Sequence, residues 1–208
     1  MNKIYDVTII GGGIIGLATA FSIATKSNTS ILLIEAESKL AAHQTGNNSG
    51  VIHSGLYYKP GSLKAKNCVE GREALYKFCE EYEITYEKCG KTVVAIHKDE
   101  IAALKNLEQR GKKNGLKGIR RLTEEELKDY EPSVSGVAGL LVPETGIVNY
   151  ADVCEQLANI TREHGHDILT NTRFLSLQKS NNYLVIKTNR QNFKSSNLIN
   201  CAGLQSDR

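Results

Sequence analysis

The sequence predicts an α/β fold in which a parallel sheet is interrupted by an inserted α+β segment. Residues 5–10 are rich in β-branched residues and are stopped by glycine, as in a short buried parallel strand. Residues 14–25 then carry apolar side chains at helical spacing, and residues 30–34 form a second buried strand. Strand, glycine turn, helix and strand in this order make a βαβ unit, which is how a dinucleotide-binding domain begins.

The turn of this unit carries a glycine pattern. Gly11, Gly13 and Gly16 fit G-x-G-x-x-G, with Ile14 and Ile15 between the second and third glycines. Gly11 permits a tight turn, Gly13 lets backbone N–H groups approach a pyrophosphate, and Gly16 lets the helix pack closely on the strand. The helix that begins here also offers unpaired N–H donors and the positive end of its dipole to that anion.

Glu35 follows the second predicted strand, nineteen residues beyond Gly16. In a dinucleotide-binding unit, a carboxylate at this place accepts a hydrogen bond from a ribose hydroxyl. It disfavours NADP, because the 2′-phosphate of NADP would meet a second anion. FAD and NAD both remain possible on these residues alone.

The middle of the chain predicts mixed helices and strands, and the last part predicts mainly strands. Ser62 is placed to cap one helix, and Thr123 with Glu126 forms a capping-box pattern at the start of another. The return to strands near the end indicates that the first domain is discontinuous. Further elements are predicted as strands at 91–97 and 137–142, helices at 99–107 and 151–164, and a β-meander of strands at 168–178, 183–188 and 193–201.

Composition and charge narrow the class of protein. The chain has 208 residues, of which 24% are charged, and a formal net charge of +3. Its basic residues are scattered, so we expect no nucleic-acid partner. The five cysteines lack the short spacing of a metal site, so we expect no metal and free thiols in a reducing compartment. The apolar stretch at 7–24 is broken by four glycines, so we expect neither a signal peptide nor a membrane span, and a cytoplasmic protein, with peripheral attachment to the inner membrane face as an alternative.

A second segment distinguishes between the possible cofactors. The loop at 43–58 is rich in Gly, Ser and Asn, and together with residues 61–65 it closely resembles the L-2-hydroxyglutarate oxidase/dehydrogenase group. That group belongs to the FAD-dependent, D-amino-acid oxidase-like oxidoreductases. Asn47 departs from the pattern, since Arg or His is expected there. Further blocks that resemble the group lie at 89–91, 130–132, 146–153 and 200–208, so the resemblance covers essentially the whole chain.

The resemblance implies FAD as the cofactor and a Rossmann-like FAD-binding domain. It places this domain at 1–85 and 145–208, and part of an α+β substrate domain at 86–144. His53 is the implied candidate for a polar, catalytic group near the flavin ring. The implied cofactor-binding residues are Gly11, Gly13, Ile14, Ile15, Gly16, Glu35, Thr45, Asn48, Ser49, Gly50, Val51, Phe174, Ala202 and Gly203.

The resemblance also implies an activity, which is oxidation of an L-2-hydroxy acid, L-2-hydroxyglutarate first among them, with oxygen or a quinone as electron acceptor. A related FAD oxidase or dehydrogenase of glycerol 3-phosphate or of amino acids is the alternative enzyme. Members of the group are much longer chains, so the resemblance implies that only their N-terminal half is present here. We therefore also consider that this chain is a truncated product that is inactive or only binds flavin. A separate C-terminal chain is the partner that we expect in that case.

Overall fold

The computed structural model describes residues 3–207. The strands are β1 (Ile4–Ile10), β2 (Ile31–Ile34), β3 (Val51–Ile52), β4 (Tyr86–Glu87), β5 (Lys91–Ala95), β6 (Arg120–Thr123), β7 (Ala138–Val142), β8 (Gly146–Val148), β9 (Asp167–Leu169), β10 (Phe174–Lys179), β11 (Leu184–Thr188) and β12 (Asn192–Asn200). The α-helices are α1 (Ile14–Ala24), α2 (Leu63–Glu81), α3 (Ile101–Lys113), α4 (Glu124–Tyr130) and α5 (Tyr150–Glu163), and short 3₁₀ turns lie at Lys98–Glu100 and Gly203–Gln205. The chain divides into a first unit of residues 1–49 and 150–208 and a second unit of residues 50–149.

The first unit is built on one sheet with the strand order β10-β11-β12-β1-β2-β9. β1 pairs in parallel with both β12 and β2, and β2 pairs in parallel with β9. β10, β11 and β12 pair antiparallel, which is the predicted meander. The prediction of a Rossmann-like α/β fold with a parallel sheet and a β-meander is confirmed.

The βαβ unit forms because β2 is apolar throughout and β1 buries Tyr5, Thr8 and Ile9. Every residue of β2 is buried, and Val7 of β1 pairs with Ile31 in the parallel register that the sequence predicts. Helix α1 buries Leu17 and Ala20 completely and packs against α5. The core of the unit contains Tyr5, Leu32, Ile34, Ile186 and Phe193.

The prediction of one strand over 168–178 is wrong. The segment contains two strands, β9 and β10, which lie at opposite ends of the strand order. Asn171, in the link between them, adopts a left-handed conformation with φ of 52°, which no strand residue adopts. The link is held at the end of β2, where Thr172 N–H donates to the carbonyl oxygen of Glu35 at 2.8 Å.

The second unit contains two three-stranded sheets, β3-β8-β4 and β5-β7-β6, together with α2, α3 and α4. Both predicted helix caps are present. Ser62 Oγ accepts from Ala65 N–H at 3.2 Å. Thr123 Oγ1 accepts from Glu126 N–H at 3.2 Å, and the Glu126 carboxylate accepts from Thr123 N–H at 2.9 Å. The core of this unit contains Leu56, Ala95, Leu104, Leu116, Leu140 and Val142.

The division into units differs from the predicted domain limits at its first boundary. The sequence analysis places residues 50–85 in the cofactor domain, whereas the contacts group them with the inserted segment. The physical reason is the pairing of β3 with β8, and the burial of Leu56 in the core of the second unit. Neither interaction has a local signal in the sequence, because the strand has two residues and its partner lies far along the chain.

Residues 3–207 contain neither a candidate membrane span nor a candidate metal cluster. No helix there combines the length and the apolar character that crossing a membrane requires. No group of three His, Cys, Asp or Glu side chains in the same range is arranged to hold a metal ion.

The five cysteines are free thiols with very different exposure. Cys89 is exposed, whereas Cys79 and Cys154 are buried, and Cys68 and Cys201 are half-buried. Burial raises the pKa of Cys154 to about 12, with a smaller contribution from the charge of Glu155. Burial also raises the pKa of Cys79. Since the thiolate is the reactive form, these differences predict an order of reactivity.

At pH 8, we expect a thiol reagent to modify Cys89 first and to leave Cys154 unmodified until the protein unfolds. At a pH well below its pKa, the Cys154 sulfur is almost entirely protonated, and burial also blocks the reagent. Absorbance kinetics with a chromogenic disulfide, in the presence and absence of denaturant, measure this. Cys89→Ser should remove the fast phase, and a fast phase that survives the substitution would contradict the assignment.

Candidate cofactor site

The glycine turn joins β1 to α1, and two of its glycines are required by close backbone contacts. Gly11 has φ of +106°, and a Cβ placed there would lie 2.4 Å from the carbonyl oxygen of Cys201. A Cβ on Gly16 would lie 1.9 Å from the carbonyl oxygen of Gly11. These glycines therefore allow the turn, α1 and the end of β12 to pack together.

Gly13 is different, because its own backbone does not require glycine. It precedes α1 with φ of −81° and ψ of 177°, which any residue adopts. A Cβ there would meet only Thr45 Oγ1, at 3.2 Å. Gly13 lines the cleft described below. Because glycine has no side chain, space for a ligand remains at this position.

The start of α1 has the chemistry of an anion site. Its N-cap residue, Gly13, has no side chain to cap it, and its first turn contains no acidic residue. Ile14 N–H donates to Thr45 Oγ1 at 3.1 Å, so this predicted residue is held at the helix N-terminus by a loop side chain. The unneutralised positive end of the helix dipole therefore faces a region that Gly13, Ile14 and Ile15 line.

Glu35 is buried next to this turn, with 9% of its surface exposed. One carboxylate oxygen accepts from Gly12 N–H at 2.6 Å and the other from Glu37 N–H at 2.8 Å. A carboxylate offers about four lone-pair positions, so further acceptor capacity remains for a hydroxyl. The fold thus places Glu35 beside the glycine turn, as the motif predicts.

The glycine turn with the start of α1 forms one side of the site, and Glu35 forms a second. The third side is formed by the end of β12 and the end of the link before β10. Cys201 N–H donates to Ile10 O at 2.8 Å, which holds the end of β12 against β1. Ala202 and Gly203 follow directly, and Gly203 has a positive φ of 60°. Both residues line the cleft, and so does Phe174 at the start of β10.

These three sides enclose one cleft of about 900 Å³ within the first unit. Its volume lies in the range that cofactor and small-molecule pockets occupy. It lies at the carboxyl ends of β1, β2 and β12, where ligands bind in open parallel sheets. The predicted residues that line it are Gly11, Gly13, Ile14, Ile15, Glu35, Thr45, Phe174, Ala202 and Gly203.

Several predicted residues lie elsewhere. Gly16 is buried below the turn. Asn48 donates from its side-chain amide to Thr45 O and, with Ser49, is exposed outside the cleft lining. Gly50 and Val51 belong to the second unit, where Gly50 O accepts from Val148 N–H at 2.9 Å and Val51 pairs with Ile147.

His53 also lies in the second unit, exposed, at the start of a loop that we call the 53–58 loop (residues 53–58). Its carbonyl oxygen accepts from the Cys68 thiol at 3.3 Å. The loop and Lys91 line a cavity of about 90 Å³. His53 is a site residue that the sequence predicts, whereas the role of Lys91 and this cavity appear only in the structure.

Arg72 and Arg173 are two functional candidates that the sequence analysis did not assign a side-chain role. Arg173 lines the cleft and donates to the Glu37 carboxylate at 3.0 Å. Arg72 is 5% exposed and donates to Ser54 O at 3.0 Å, so it supports the 53–58 loop. Its position is readable from the sequence, because residue 72 falls on the face of α2 that Ala65, Tyr76 and Cys79 bury.

Comparison with known proteins gives one family. A family model described as FAD dependent oxidoreductase matches residues 6–208. The L-2-hydroxyglutarate dehydrogenase of Indibacter alkaliphilus is 49% identical over 205 residues, which are 98% of this chain and 51% of that protein. The mitochondrial L-2-hydroxyglutarate dehydrogenase of Homo sapiens is 41% identical over 217 residues, with 98% of this chain and 47% of that protein covered. The chain spans about half the length of these relatives.

Among solved structures, dithionite-reduced L-alpha-glycerophosphate oxidase from Mycoplasma pneumoniae with FAD bound superposes with a TM-score of 0.87. It is 28% identical, and the match covers 96% of this chain and 54% of that one. The family model resolves the choice between FAD and NAD that Glu35 alone leaves open, and it confirms FAD as the predicted cofactor. The chain belongs to the FAD dependent oxidoreductase family.

Proposed function

We propose that the first unit binds FAD in its cleft and that the protein oxidises L-2-hydroxyglutarate to 2-oxoglutarate. The 49% identity to the Indibacter alkaliphilus dehydrogenase, across 98% of this chain, carries the substrate assignment. The cleft supports the cofactor assignment, because it brings together a helix start without acidic residues, a glycine turn and a buried carboxylate. A dinucleotide needs these three features for its pyrophosphate and its ribose.

The residues of the cleft fit FAD in the following roles. Gly11, Gly13, Ile14 and Ile15 hold the pyrophosphate with backbone N–H groups, and Gly16 keeps α1 close enough for this. Glu35 accepts from the adenosine ribose, and Phe174 borders the adenine. We assign the remaining contacts, along the pyrophosphate and the flavin edge, to Thr45, Ala202 and Gly203, which line the cleft. Asn48, Ser49, Gly50 and Val51 lie outside its lining, and their assignment to the cofactor rests on the family resemblance alone.

FAD, when bound, supplies the redox chemistry by accepting a hydride from C2 of the hydroxy acid. The hydroxyl proton must leave at the same time to a base, so that hydride and proton account for both hydrogens lost in forming the 2-oxo acid. His53 is our candidate for holding the substrate or taking this proton, because histidine is the side chain that most often serves as a general acid or base.

Two finer assignments complete the proposal. Oxygen or a quinone is the final electron acceptor, as the resemblance implies. The five cysteines are free in the structure, which is typical of a reducing compartment, and we therefore place the protein in the cytoplasm.

The absorption spectrum of the purified protein tests the function directly. Bound FAD absorbs near about 450 nm, and anaerobic L-2-hydroxyglutarate should bleach this band when hydride transfer occurs. Glycerol 3-phosphate and an L-amino acid serve as comparison substrates, and we expect neither to bleach the band. Bleaching by either of them but not by the hydroxy acid would contradict the substrate assignment.

Replacing Glu35 with glutamine should weaken FAD binding by about 1–3 kcal/mol, which is roughly 5- to 150-fold in Kd. The amide keeps the size of the side chain but turns one acceptor into a donor. The new NH₂ group therefore faces either Gly12 N–H or Glu37 N–H, where two donors meet and one hydrogen bond is lost. The substitution also removes the negative charge that strengthens a hydrogen bond from the ribose. Flavin fluorescence titration measures the change.

Glu163→Gln is the matched control, because Glu163 is an exposed glutamate of α5 in the same unit. It should leave the affinity for FAD unchanged. Equal affinities for FAD in wild-type and Glu35→Gln protein would remove Glu35 from the site.

A further inference from the structure

We propose that the cavity formed by the 53–58 loop and Lys91 is a carboxylate-binding subsite, with Lys91 as the charge partner and Ser54 as a hydrogen-bond donor. The proposal rests on the proposed function, since it names the residues that hold a carboxylate group of the dicarboxylic substrate. The cavity lies entirely within the second unit.

Lys91 is the first observation. It begins β5, is half-buried, and lines the cavity. Its ammonium lies 4.2 Å from the centre of the Tyr57 ring, and no Asp or Glu of the described residues forms an ion pair with it. Burial lowers the pKa of this ammonium. A partly desolvated cation without an anionic partner costs free energy, and an anionic ligand would offset that cost.

The Cys68 thiol does not take the role of the missing anion. It lies near Lys91, but burial raises the pKa of Cys68, so the thiol is neutral near pH 7. It is also engaged as a donor to His53 O at 3.3 Å. The charge of Lys91 is therefore not balanced by its neighbour.

Ser54 is the second observation. It is 1% exposed, lines the cavity, and its hydroxyl has no hydrogen-bond partner in the structure. Buried hydroxyl groups are rarely left without a partner. A carboxylate in the cavity would accept from the Lys91 ammonium, and also from this hydroxyl once a rotation of the Ser54 side chain turns its buried oxygen toward the cavity.

The loop that carries Ser54 is held in place from outside the cavity. Arg72 donates to Ser54 O at 3.0 Å, and Arg110 donates to Tyr57 O at 3.1 Å. The side-chain amide of Asn114 donates to both Gly55 O and Tyr58 O at 2.9 Å. Because side chains on α2, on α3 and just after α3 bind these carbonyl groups, the cavity wall is organised before any ligand arrives, which lowers the entropic cost of binding.

The size of the cavity also fits a carboxylate. A cavity must have a volume of about 10–15 Å³ to hold one water molecule. The cavity has about 90 Å³, so it holds a group of several heavy atoms but not a whole cofactor. One carboxylate with the adjoining methylene group matches this volume.

Glutarate is the probe for this subsite, because it is a dicarboxylate that has no hydroxyl group to oxidise. We expect calorimetry to show binding of glutarate to the wild-type protein and about a 10- to 100-fold weaker Kd for Lys91→Gln, the range for loss of a charged hydrogen bond. Lys91→Arg keeps the charge and should retain most of the affinity. Ser54→Ala should weaken binding by a smaller factor without lowering the melting temperature, because the hydroxyl it removes has no partner in the free protein.

Lys88→Gln is the matched control. Lys88 is also a lysine of the second unit that lies over aromatic rings, at 4.4 Å from the centre of Tyr76. Its loss should leave glutarate affinity unchanged. The subsite is overturned if the wild-type protein binds no glutarate, if Lys91→Gln binds it as tightly as wild type, or if Lys88→Gln weakens binding equally.

The outcomes separate this proposal from the proposed function. If L-2-hydroxyglutarate bleaches the flavin and Lys91→Gln leaves glutarate affinity intact, the function stands and the subsite is wrong. If glutarate binds through Lys91 but the hydroxy acid never bleaches the flavin, the subsite stands and the oxidation is wrong.

Discussion

Gly13→Val should reduce FAD affinity by about 100-fold or more, which is roughly 3 kcal/mol, while leaving the protein folded. The backbone at Gly13, with φ of −81° and ψ of 177°, lies in the extended region that valine favours. The nearest atom to a new Cβ is Thr45 Oγ1 at 3.2 Å, a contact that a small movement relieves. The methyl groups of valine would, however, occupy the cleft beside the start of α1, where we place the pyrophosphate.

Two measurements are needed for this prediction. The melting temperature of the flavin-free protein reports folding, and a flavin titration reports affinity. Gly71→Val is the matched control, since a Cβ at Gly71 meets nothing within 4 Å and the residue is exposed on α2. Full flavin occupancy in Gly13→Val would show that the pyrophosphate lies elsewhere.

The parts of the fold that the sequence predicts well are those with a local physical cause. β2 is a continuous apolar run because every one of its residues is buried, and β1 ends in Ile9 and Ile10 directly before the glycine turn. Ser62 and Thr123 satisfy the backbone N–H groups of the helix that follows each, so both helix starts are marked by type and spacing alone.

The parts that escaped prediction depend on distant partners. β3, β4 and β8 have two or three residues each and are strands only because they pair with one another. The split between β9 and β10 depends on a left-handed turn at Asn171 and on the anchoring of Thr172 to the end of β2. Apolar spacing cannot reveal either feature, because it reports burial and not pairing.

The candidate site shows the same contrast. The motif predicts that Gly13, Glu35 and the end of β12 come together, because the carboxyl ends of neighbouring parallel strands share one edge of the sheet. Lys91 has no comparable signal. A lysine at the start of a strand is usually exposed, and only the tertiary position of the 53–58 loop surrounds it.

Gly16→Val should destabilise the first unit by about 4 kcal/mol or more, which is a large fraction of the roughly 5–15 kcal/mol by which folded proteins are stable. A Cβ on Gly16 would lie 1.9 Å from the carbonyl oxygen of Gly11, and this neighbour is backbone, not the end of a flexible side chain. The Gly11 carbonyl has little freedom to move, because Gly11 itself has φ of +106° and lies against Cys201 O. Relief therefore requires α1 to move away from β1, which would expose Leu17 and Ala20, both completely buried.

Ala18→Val is the control, because Ala18 is exposed on the same helix and the substitution costs only the helix propensity of a β-branched residue. Chemical denaturation of flavin-free protein measures both variants without reference to cofactor binding. Gly13 and Gly16 should differ in what their loss changes. Gly13 leaves space for the ligand, so its replacement should lower flavin affinity. Gly16 leaves space for the backbone of Gly11, so its replacement should lower the free energy of unfolding. A Gly16→Val protein whose unfolding midpoint matches that of Ala18→Val would show that α1 does not pack on the turn as the structure places it.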